Sequence, residues 1–392
     1  MTDDLYDNAI THQANFEIDA SFDPEEKIVI PKLKWNKVIT ISETMPKNDW
    51  FKRNWKYIMG IVITFGLMGY LIWRSKPIAI WETLVESNYL LILSSFGGTI
   101  ILFLIKTLRW KAILKTQGIN IPFFQVLDLV FIGAFGSSIT PAKVGDILRA
   151  VYLTKREKNA KMGTAVFSVV FDRILDFVGI FIIIGISAPF ILLRFDNIDW
   201  KIPLGLAVGF VIFVVLTIAV FSERITKPIL RFVVKFISKV FRNQEAKDKI
   251  SLNSNEIIDD FFTGQKNCKI KNYLLLGFLS VLFWLILGLQ GFLLLKGFRV
   301  ENVNPLVIIS VLCIAAIVAT GIPTSIAGIG IRDFVIVTLL HLILGISDAH
   351  AISLSMIQTF LNVMIPGLIG GILILRSRSS KDDLKPKQIA FS

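Results

Sequence analysis

Residues 273–295 read YLLLGFLSVLFWLILGLQGFLLL, a run of 23 residues without an acidic or basic side chain. An α-helix of this length extends about 34 Å, and the hydrocarbon core of a bilayer is about 30 Å thick. Because no water reaches that core, the polar backbone groups of a spanning segment must bond to one another, as they do in an α-helix. The run therefore predicts a membrane-spanning helix.

Similar apolar runs occur along most of the chain. They account for a hydrophobic content of 54%, which is above the level typical of soluble domains. The expected fold class is an all-α integral membrane protein, with about six full spans and two opposed re-entrant hairpins related by an inverted repeat. The runs about long enough to cross a bilayer are 57–73, 89–105, 203–221, 273–295, 305–322 and 350–375.

The formal charge is +12, and Lys and Arg are concentrated between the apolar runs, for example in the expected loop 106–122. Basic loops beside membrane spans favour the cytoplasm and contact with anionic lipid headgroups, so nucleic acid is not an expected partner. We expect a multi-pass plasma-membrane protein with both termini cytoplasmic. The predicted divisions are a polar, partly disordered cytoplasmic tail (1–55), a transmembrane domain (56–376) that includes a cytoplasmic loop (222–272), and a second cytoplasmic tail (377–392).

Placing the basic loops in the cytoplasm requires two apolar segments to turn back. If 123–153 enters from the cytoplasm and returns as a hairpin, the segment 155–161 and the loop 222–272 both become cytoplasmic. The same count of membrane crossings makes 305–347 a second hairpin, which opens to the outside. An alternative layout breaks the long segment 162–193 into two elements.

The turns of the two predicted hairpins resemble each other. The first apex, Ser138-Ile-Thr-Pro-Ala-Lys-Val-Gly-Asp146, aligns with the second apex, Ser325-Ile-Ala-Gly-Ile-Gly-Ile-Arg-Asp333. Interrupted apolar segments in corresponding halves indicate a transporter binding site, and the freed amides beside basic side chains suit an anion. The residues predicted to bind substrate are Ser138, Thr140, Pro141, Lys143, Gly145, Asp146, Arg149, Ser325, Gly328, Gly330, Arg332 and Asp333.

Under this interpretation, Asp146 and Asp333 pair with nearby cations in the empty state, namely Lys143, Arg149 and Arg332. Arg149 and Arg332 would then approach one anionic group from opposite sides. The alternative is that both apices are ordinary turns outside the membrane, a location that Gly, Pro and charged residues suit equally.

Three charged residues, Asp172, Arg173 and Asp176, lie inside the apolar segment 162–193. Asp172 and Asp176 share one helix face, and Arg173 lies about one turn from Asp176. An unpaired charge at the bilayer centre costs roughly 2.5–3.5 kcal/mol, so these side chains need partners or water. The pattern predicts an intramembrane charge network, which either locks helices together or takes part in transport.

The segment 227–242, KPILRFVVKFISKVFR, has a basic residue at every fourth position and apolar residues between. This pattern predicts a basic amphipathic helix on the cytoplasmic leaflet, which anchors the protein or gathers substrate. The predicted membrane-surface residues are Lys227, Arg231, Lys235 and Lys239.

We expect neither a cofactor nor a metal ion. Two cysteines and three scattered histidines provide no metal-ligand spacing, and the chain has no nucleotide-binding or zinc-binding motif. Because no catalytic residues can be assigned either, the chain is not expected to be an enzyme.

Four motifs resemble those of a known membrane protein family. They are Leu108-Arg109-Trp110, Pro141-Ala-Lys-Val-Gly-Asp-Ile-Leu-Arg149, Arg173-Ile-Leu-Asp176 and Gly328-Ile-Gly-Ile-Arg-Asp333. Over about residues 57–375 the chain is similar to the lysylphosphatidylglycerol synthase transmembrane region, also called the flippase-like or UPF0104 family. It departs from the family pattern by having Asp146 and Asp333 where members have Glu.

The resemblance implies a flippase-type domain with lipid or lipid-linked sugar substrates. We therefore expect a membrane flippase that moves an anionic lipid or polyprenyl-phosphate-linked sugar between leaflets, with membrane lipids as its other partners. Lysyl transfer is not expected, because nothing the size of an aminoacyl-transferring domain follows residue 375. The alternatives are a secondary transporter of a small anion and a non-transporting subunit that partners a lipid-modifying enzyme.

Overall fold

The computed structural model describes residues 49–140, 144–157, 159–194, 254–266, 270–301, 303–322 and 326–382, together with parts of the segment 204–231. The chain divides into an amino-terminal unit, Met1–Trp50, and a helical unit, Phe51–Ser392. The prediction for the tail 1–55 falls almost entirely outside the described residues.

All of the regular elements in the described residues are helices, which agrees with the predicted all-α class. The connections include a short 3₁₀ turn at Val144–Asp146 and a π-helical segment at Phe360–Met364. In chain order the α-helices are α1 (Asp49–Arg74), α2 (Pro77–Val85), α3 (Tyr89–Thr116), α4 (Phe123–Ile139), α5 (Ile147–Arg156), α6 (Met162–Arg194), α7 (Ser254–Lys266), α8 (Ile270–Gly297), α9 (Pro305–Gly321), α10 (Ile331–Leu344), α11 (Asp348–Thr359) and α12 (Ile365–Asp382).

Three stretches of helix in the described residues are long and apolar enough to cross a membrane. They are Tyr89–Thr116, Leu274–Gly297 and Asp348–Ser377. The number of complete spans and the re-entry of the two hairpins into the bilayer stay predictions. Shorter apolar helices run over Met59–Arg74, Phe123–Ile139 and Pro305–Gly321.

Helix α3 is longer than its apolar run. The hydropathy pattern predicts a loop over 106–122, but the helix continues to Thr116, so that prediction is wrong for residues 106–116. Lys106 and Arg109 stay helical because they face polar and charged groups of neighbouring helices instead of lipid. At the other end, the Asn88 side chain accepts a hydrogen bond from the Leu90 amide at 3.1 Å and caps the helix.

Helix α6 runs without a break from Met162 to Arg194. The alternative layout, which divides 162–193 into two elements, is therefore wrong. The unbroken helix carries Asp172, Arg173 and Asp176 well inside its length.

Each predicted hairpin forms a pair of packed helices, α4 with α5 and α9 with α10. In the first hairpin, a Cβ added to Gly145 would lie 2.0 Å from the Gly136 carbonyl oxygen, so the two backbones touch. The apices themselves are in contact, because the Ala327 amide donates a hydrogen bond to the Thr140 carbonyl oxygen at 3.3 Å.

Two main hydrophobic cores stabilise the helical unit. The first packs the end of α3 against α4, α5, α6 and α7 around Trp110, Leu129 and Phe167. The second packs α1 and the end of α8 against α9, α10 and α11 around Leu294 and Val311. A smaller apolar cluster joins α6, α8 and α9 between them. The fold therefore places one hairpin in each core.

Candidate functional site

A cavity of about 210 Å³ lies where the two apices meet. The first hairpin contributes Ser137, Ser138 and Asp146 to its wall, and the second apex contributes Ala327 and Gly328. The other walls come from α3, α6, α8, α9, α10, α11 and the π-helical segment. The charged and amide side chains on these other walls are Lys106, Arg173, Asp176, Arg332, Gln358 and Asn362.

Lys106 is a basic side chain on the cavity wall, one helical turn before the buried Arg109. It forms no hydrogen bond and no ion pair with any residue in the described part of the chain. Its neighbours on α3, Leu102 and Phe103, line the same cavity and are apolar. The site therefore contains a basic group with room beside it for an anion.

Arg173 joins α6 to the first apex. Its guanidinium contacts the Asp146 carboxylate and also lies 3.2 Å from Asp176 Oδ2. Ser137 Oγ donates a hydrogen bond to Asp146 Oδ1 at 2.8 Å. Asp146 was predicted to pair with Lys143, Arg149 or Arg332, and its partner among the described residues is instead Arg173, because α6 crosses directly beside the apex.

Behind Arg173 lies a fully buried layer of charge. Arg109 Nε is 2.8 Å from Asp172 Oδ1, and Arg149 Nη2 is 2.7 Å from Asp172 Oδ2. Arg109 Nη2 also reaches Asp176 Oδ1 at 2.5 Å. The Arg149 guanidinium stacks 4.8 Å from the centre of the Trp110 ring, a cation–π contact. The predicted network at Asp172, Arg173 and Asp176 thus includes two arginines from other helices.

The charges of this cluster do not cancel. Four cationic side chains meet three carboxylates, so the formal sum is +4 − 3 = +1, and the excess is at Lys106. The cations are Lys106, Arg109, Arg149 and Arg173, and the carboxylates are Asp146, Asp172 and Asp176.

The second apex is held by glycines and a buried carboxylate. Gly328 and Gly330 have φ values of 81° and 88°, in the left-handed region that favours glycine. Asp333 Oδ2 accepts a hydrogen bond from the Gly330 amide at 2.8 Å, and Asp333 Oδ1 accepts from Arg332 Nη2 at 2.8 Å. Arg332 also donates to the Thr359 hydroxyl and has 18% of its side chain exposed, on the cavity wall.

An amide network covers another wall. Asn362 Nδ2 donates to Gln290 Oε1 at 2.8 Å, and the Thr99 hydroxyl donates to Asn362 Oδ1 at 3.0 Å. Gln290 Nε2 donates to the Ser95 carbonyl at 2.9 Å. The π-helical segment that carries Asn362 ends beside Pro366, whose ring nitrogen has no hydrogen to donate.

The predicted substrate residues fall into four groups. Ser138, Asp146, Gly328 and Arg332 line the cavity, whereas Arg149 and Asp333 lie behind its wall in ion pairs. Their contact with substrate stays a prediction. The sequence interpretation missed Lys106, Gln358 and Asn362 as site residues, although an isolated basic or amide residue in or beside an apolar run is a usable signal. Thr140, Gly145 and Gly330 hold the apices, and Pro141, Lys143 and Ser325 lie outside the described residues.

Only the start of the predicted amphipathic helix is described. Lys227 Nζ pairs with Glu223 Oε2 at 2.8 Å and lies 5.7 Å from the centre of the Phe262 ring on α7. Arg231 is exposed, and Lys235 and Lys239 lie outside the described residues. The membrane-surface role of this segment stays a prediction.

Comparison with curated proteins gives a consistent set of archaeal relatives. A UPF0104 membrane protein of Pyrococcus horikoshii is 26% identical over 336 residues, which cover 82% of this chain and 97% of that protein. A UPF0104 membrane protein of Methanocaldococcus jannaschii is 25% identical over 326 residues, or 78% and 90% of the two chains. One from Methanothermobacter thermautotrophicus is 24% identical over 302 residues, or 72% and 82%.

Residues 57–370, which include every part of the cavity wall, match the family described as the lysylphosphatidylglycerol synthase TM region. The match covers most of the chain and agrees with the resemblance seen in the motifs around Arg109, Asp146, Arg173 and Arg332. The chain therefore belongs to the lysylphosphatidylglycerol synthase transmembrane-region family of membrane proteins.

Proposed function

We propose that the chain is a flippase that moves an anionic lipid or polyprenyl-phosphate-linked sugar between the leaflets of the plasma membrane. The observation that carries the proposal is the state of Lys106. This basic side chain lines the cavity and has no ion-pair partner among the described residues. An uncompensated charge among membrane helices is costly, and an anionic group in the cavity would neutralise it.

The charge of the wall suits a substrate with one negative charge. Lys106, Arg173 and Arg332 face the cavity together with Asp146 and Asp176, so the wall carries a formal sum of +3 − 2 = +1. A phosphodiester carries one negative charge and accepts hydrogen bonds from both Lys and Arg. We infer that a phosphate group is held between Lys106 and Arg173.

The remaining wall is apolar and suits an amphiphile. Beside the charged residues, the cavity is lined by large apolar side chains, namely Phe103, Phe177, Phe283, Trp284 and Leu287. Such a combination of a few polar groups with aromatic side chains is typical of sites that bind molecules with both polar and apolar parts.

The cavity is too small for a whole lipid. Its volume of about 210 Å³ is below the roughly 300–1,000 Å³ of drug-sized sites, so we infer that it holds the headgroup while the acyl or prenyl chains stay in the bilayer. The same small volume favours a second candidate function, a secondary transporter of a free small anion. In both cases we propose translocation without covalent chemistry.

The test is translocation of a fluorescent phosphatidylglycerol, labelled on an acyl chain, in vesicles that contain the purified protein. Dithionite destroys the label in the outer leaflet, so a flippase extends the loss of fluorescence beyond the outer half. We expect Lys106→Gln to slow this extra loss at least about 10-fold, because a charge-assisted hydrogen bond is worth about 1.5–3 kcal/mol.

The matched control is Lys115→Gln, an exposed lysine near the end of the same helix, and it should translocate lipid like the parent. A parental rate in Lys106→Gln would contradict the proposed site.

Inhibition of lipid movement is not expected from free inorganic phosphate. If phosphate itself is transported and the lipid is not, the chain is a small-anion transporter. Lipid binding without translocation in the parent would instead indicate a subunit of a lipid-modifying complex.

A further inference from the structure

Gln358 is a buried amide side chain on the cavity wall. It is 3% exposed and lies at the end of α11, among the residues that line the cavity. Its Nε2 donates a long hydrogen bond to the Leu287 carbonyl oxygen at 3.4 Å. A Cβ added at Gly291 would lie 3.4 Å from Nε2, so the amide packs directly against α8. The nitrogen side of Gln358 is therefore held by α8.

The oxygen side of Gln358 is open. No residue in the described part of the chain donates a hydrogen bond to Gln358 Oε1. The nearby amides of Gln290 and Asn362 differ, because each uses both its oxygen and its nitrogen in the network with Thr99 and Ser95. Gln358 Oε1 is not among the fully enclosed polar atoms of the described residues that have no partner, so it is reached from the cavity that Gln358 lines. An open acceptor on a cavity wall therefore indicates a hydrogen-bond donor on the ligand.

The surroundings of Gln358 select the kind of donor. The Arg332 guanidinium lies on the same wall and donates to the hydroxyl of Thr359, the next residue along the chain. A ligand ammonium group would be repelled by this guanidinium, whereas a neutral hydroxyl would not. A hydroxyl can also accept a hydrogen bond from Arg332 while donating to Gln358.

We propose that Gln358 is a specificity-determining residue that recognises a hydroxyl group on a phosphate-bearing headgroup. The substrate class is thereby narrowed to phosphates substituted with a polyol, such as glycerol or a sugar. The inference rests on the proposed function, in which Lys106 and Arg173 hold the phosphate. The phosphate supplies the affinity, and Gln358 distinguishes headgroups of equal charge.

The test compares two lipids that differ only in headgroup hydroxyls. Phosphatidylglycerol and phosphatidylpropanol are both phosphodiesters with one negative charge, and the second has no headgroup hydroxyl. Each lipid competes with a fluorescent phosphatidylglycerol for the full-length protein in detergent micelles. We expect phosphatidylglycerol to bind about 5- to 10-fold more tightly, which is the value of one net hydrogen bond between neutral groups.

The variant Gln358→Leu should bind the two lipids equally, by losing affinity for phosphatidylglycerol and keeping that for phosphatidylpropanol. The matched control is Gln117→Leu, a half-buried glutamine that follows α3 and does not line the cavity, and it should keep the parental preference. If Gln358→Leu does not fold, Gln358→Met offers a longer unbranched replacement. Equal binding of the two lipids by the parent, or an unchanged preference in either Gln358 variant, would overturn the inference.

Two further measurements separate the sources of the headgroup and the two proposals. Preference for sn-glycerol 3-phosphate over propyl phosphate, with no competition by either lipid, would assign the hydroxyl-bearing phosphate to a free solute. If Lys106→Gln weakens the binding of both lipids equally, and the parent binds the two lipids with the same affinity, the Gln358 inference fails and the proposed function stands. If binding of both lipids is independent of Lys106, the proposed function fails.

Discussion

At the residue scale, Asp172 is the carboxylate shared by two fully buried guanidinium groups. Arg109 and Arg149 each lie within 2.8 Å of one of its oxygens, and Arg149 has no other carboxylate within ion-pair distance among the described residues. Asp172→Asn leaves Arg149 buried without an anionic partner. We expect the free energy of unfolding to fall by about 3–5 kcal/mol, the usual cost of breaking a buried pair from one side. Thermal unfolding in detergent measures the change.

The comparison variant is Asp176→Asn. The Asp176 side chain is 15% exposed beside the cavity, and its partners Arg109 and Arg173 each keep a second carboxylate. Its loss of stability should therefore be clearly smaller. Equal losses in the two variants would contradict a layer in which Asp172 has the central structural role.

The sequence predicted part of this cluster and missed the rest for a physical reason. The spacing of Asp172 and Asp176 places them on one helix face, and the cost of buried charge requires cations nearby. Spacing alone does not identify Arg109 and Lys106, because they lie at the edge of an apolar run, where hydropathy cannot distinguish a loop from a helix face that meets other charges. Likewise, Arg149 faces Asp172 only because α5 folds back against α6.

At the scale of elements, the first apex depends on contact between two glycine backbones. A Cβ on Gly145 would lie 2.0 Å from the Gly136 carbonyl oxygen, and neither backbone can give way without moving α4 or the turn that carries Asp146. We expect Gly145→Ala to lower the free energy of unfolding by about 1–3 kcal/mol, as overpacking usually does. Thermal unfolding in detergent is again the measurement.

Gly277→Ala is the matched control for that substitution. Gly277 lies in α8, and no heavy atom is within 4 Å of the position its Cβ would take. Alanine is the better helix former, so this variant should be as stable as the parent or more stable by up to about 1 kcal/mol. If both alanine variants behave alike, close contact at the first apex does not contribute to stability.

Helical hairpins were accessible from the sequence, because charge parity and the repeated apices both indicated reversals near residues 141 and 328. The π-helical segment was not, although Pro366 is visible in the sequence. The missing proline amide leaves a carbonyl without its usual partner, and either a kink or a π-turn can compensate. The choice depends on how α11 packs with α10 and α12 packs with α4, which no local pattern encodes.

At the scale of the whole helical unit, the turns in the described part of the chain assemble at two opposite ends. Arg74 pairs with Asp348 at 2.8 Å, and the Asn88 amide donates to the Gly297 carbonyl oxygen at 2.7 Å. The Phe298 and His350 ring centres lie 6.4 Å apart, so the turns after α1 and α8 share one end. Lys161 pairs with Asp260 at the other end, where the neighbouring Ala160 belongs to the same buried cluster as Leu114 near the carboxyl end of α3. The predicted topology, in which successive spans alternate in direction, requires the same grouping of turns. The side of the membrane on which each end lies stays a prediction.

The distribution of basic residues predicts which end faces the cytoplasm. The end that contains Lys161 also carries Lys155 and Arg156 at the close of α5, so it should be cytoplasmic, and the end that contains Gly297 should be external. Single cysteines at Asn159 and Glu301, both exposed, would test this in a background of Cys268→Ser and Cys313→Ala. A membrane-impermeant maleimide should label the Glu301→Cys protein in intact cells and the Asn159→Cys protein only after the cells are opened.

The two labelling sites separate the possible errors. Labelling only at residue 159 in intact cells would mean that the packing is right and the orientation reversed, so the basic cluster would meet the external leaflet. Labelling at both sites from one side would mean that the chain between them, which includes α6 and α8, does not cross the membrane an odd number of times, so the two ends are not on opposite sides. That result would also remove the cavity from membrane depth, because Lys106 lies on α3 between the two ends. The burial cost that makes Lys106 a site for an anionic headgroup would then no longer apply.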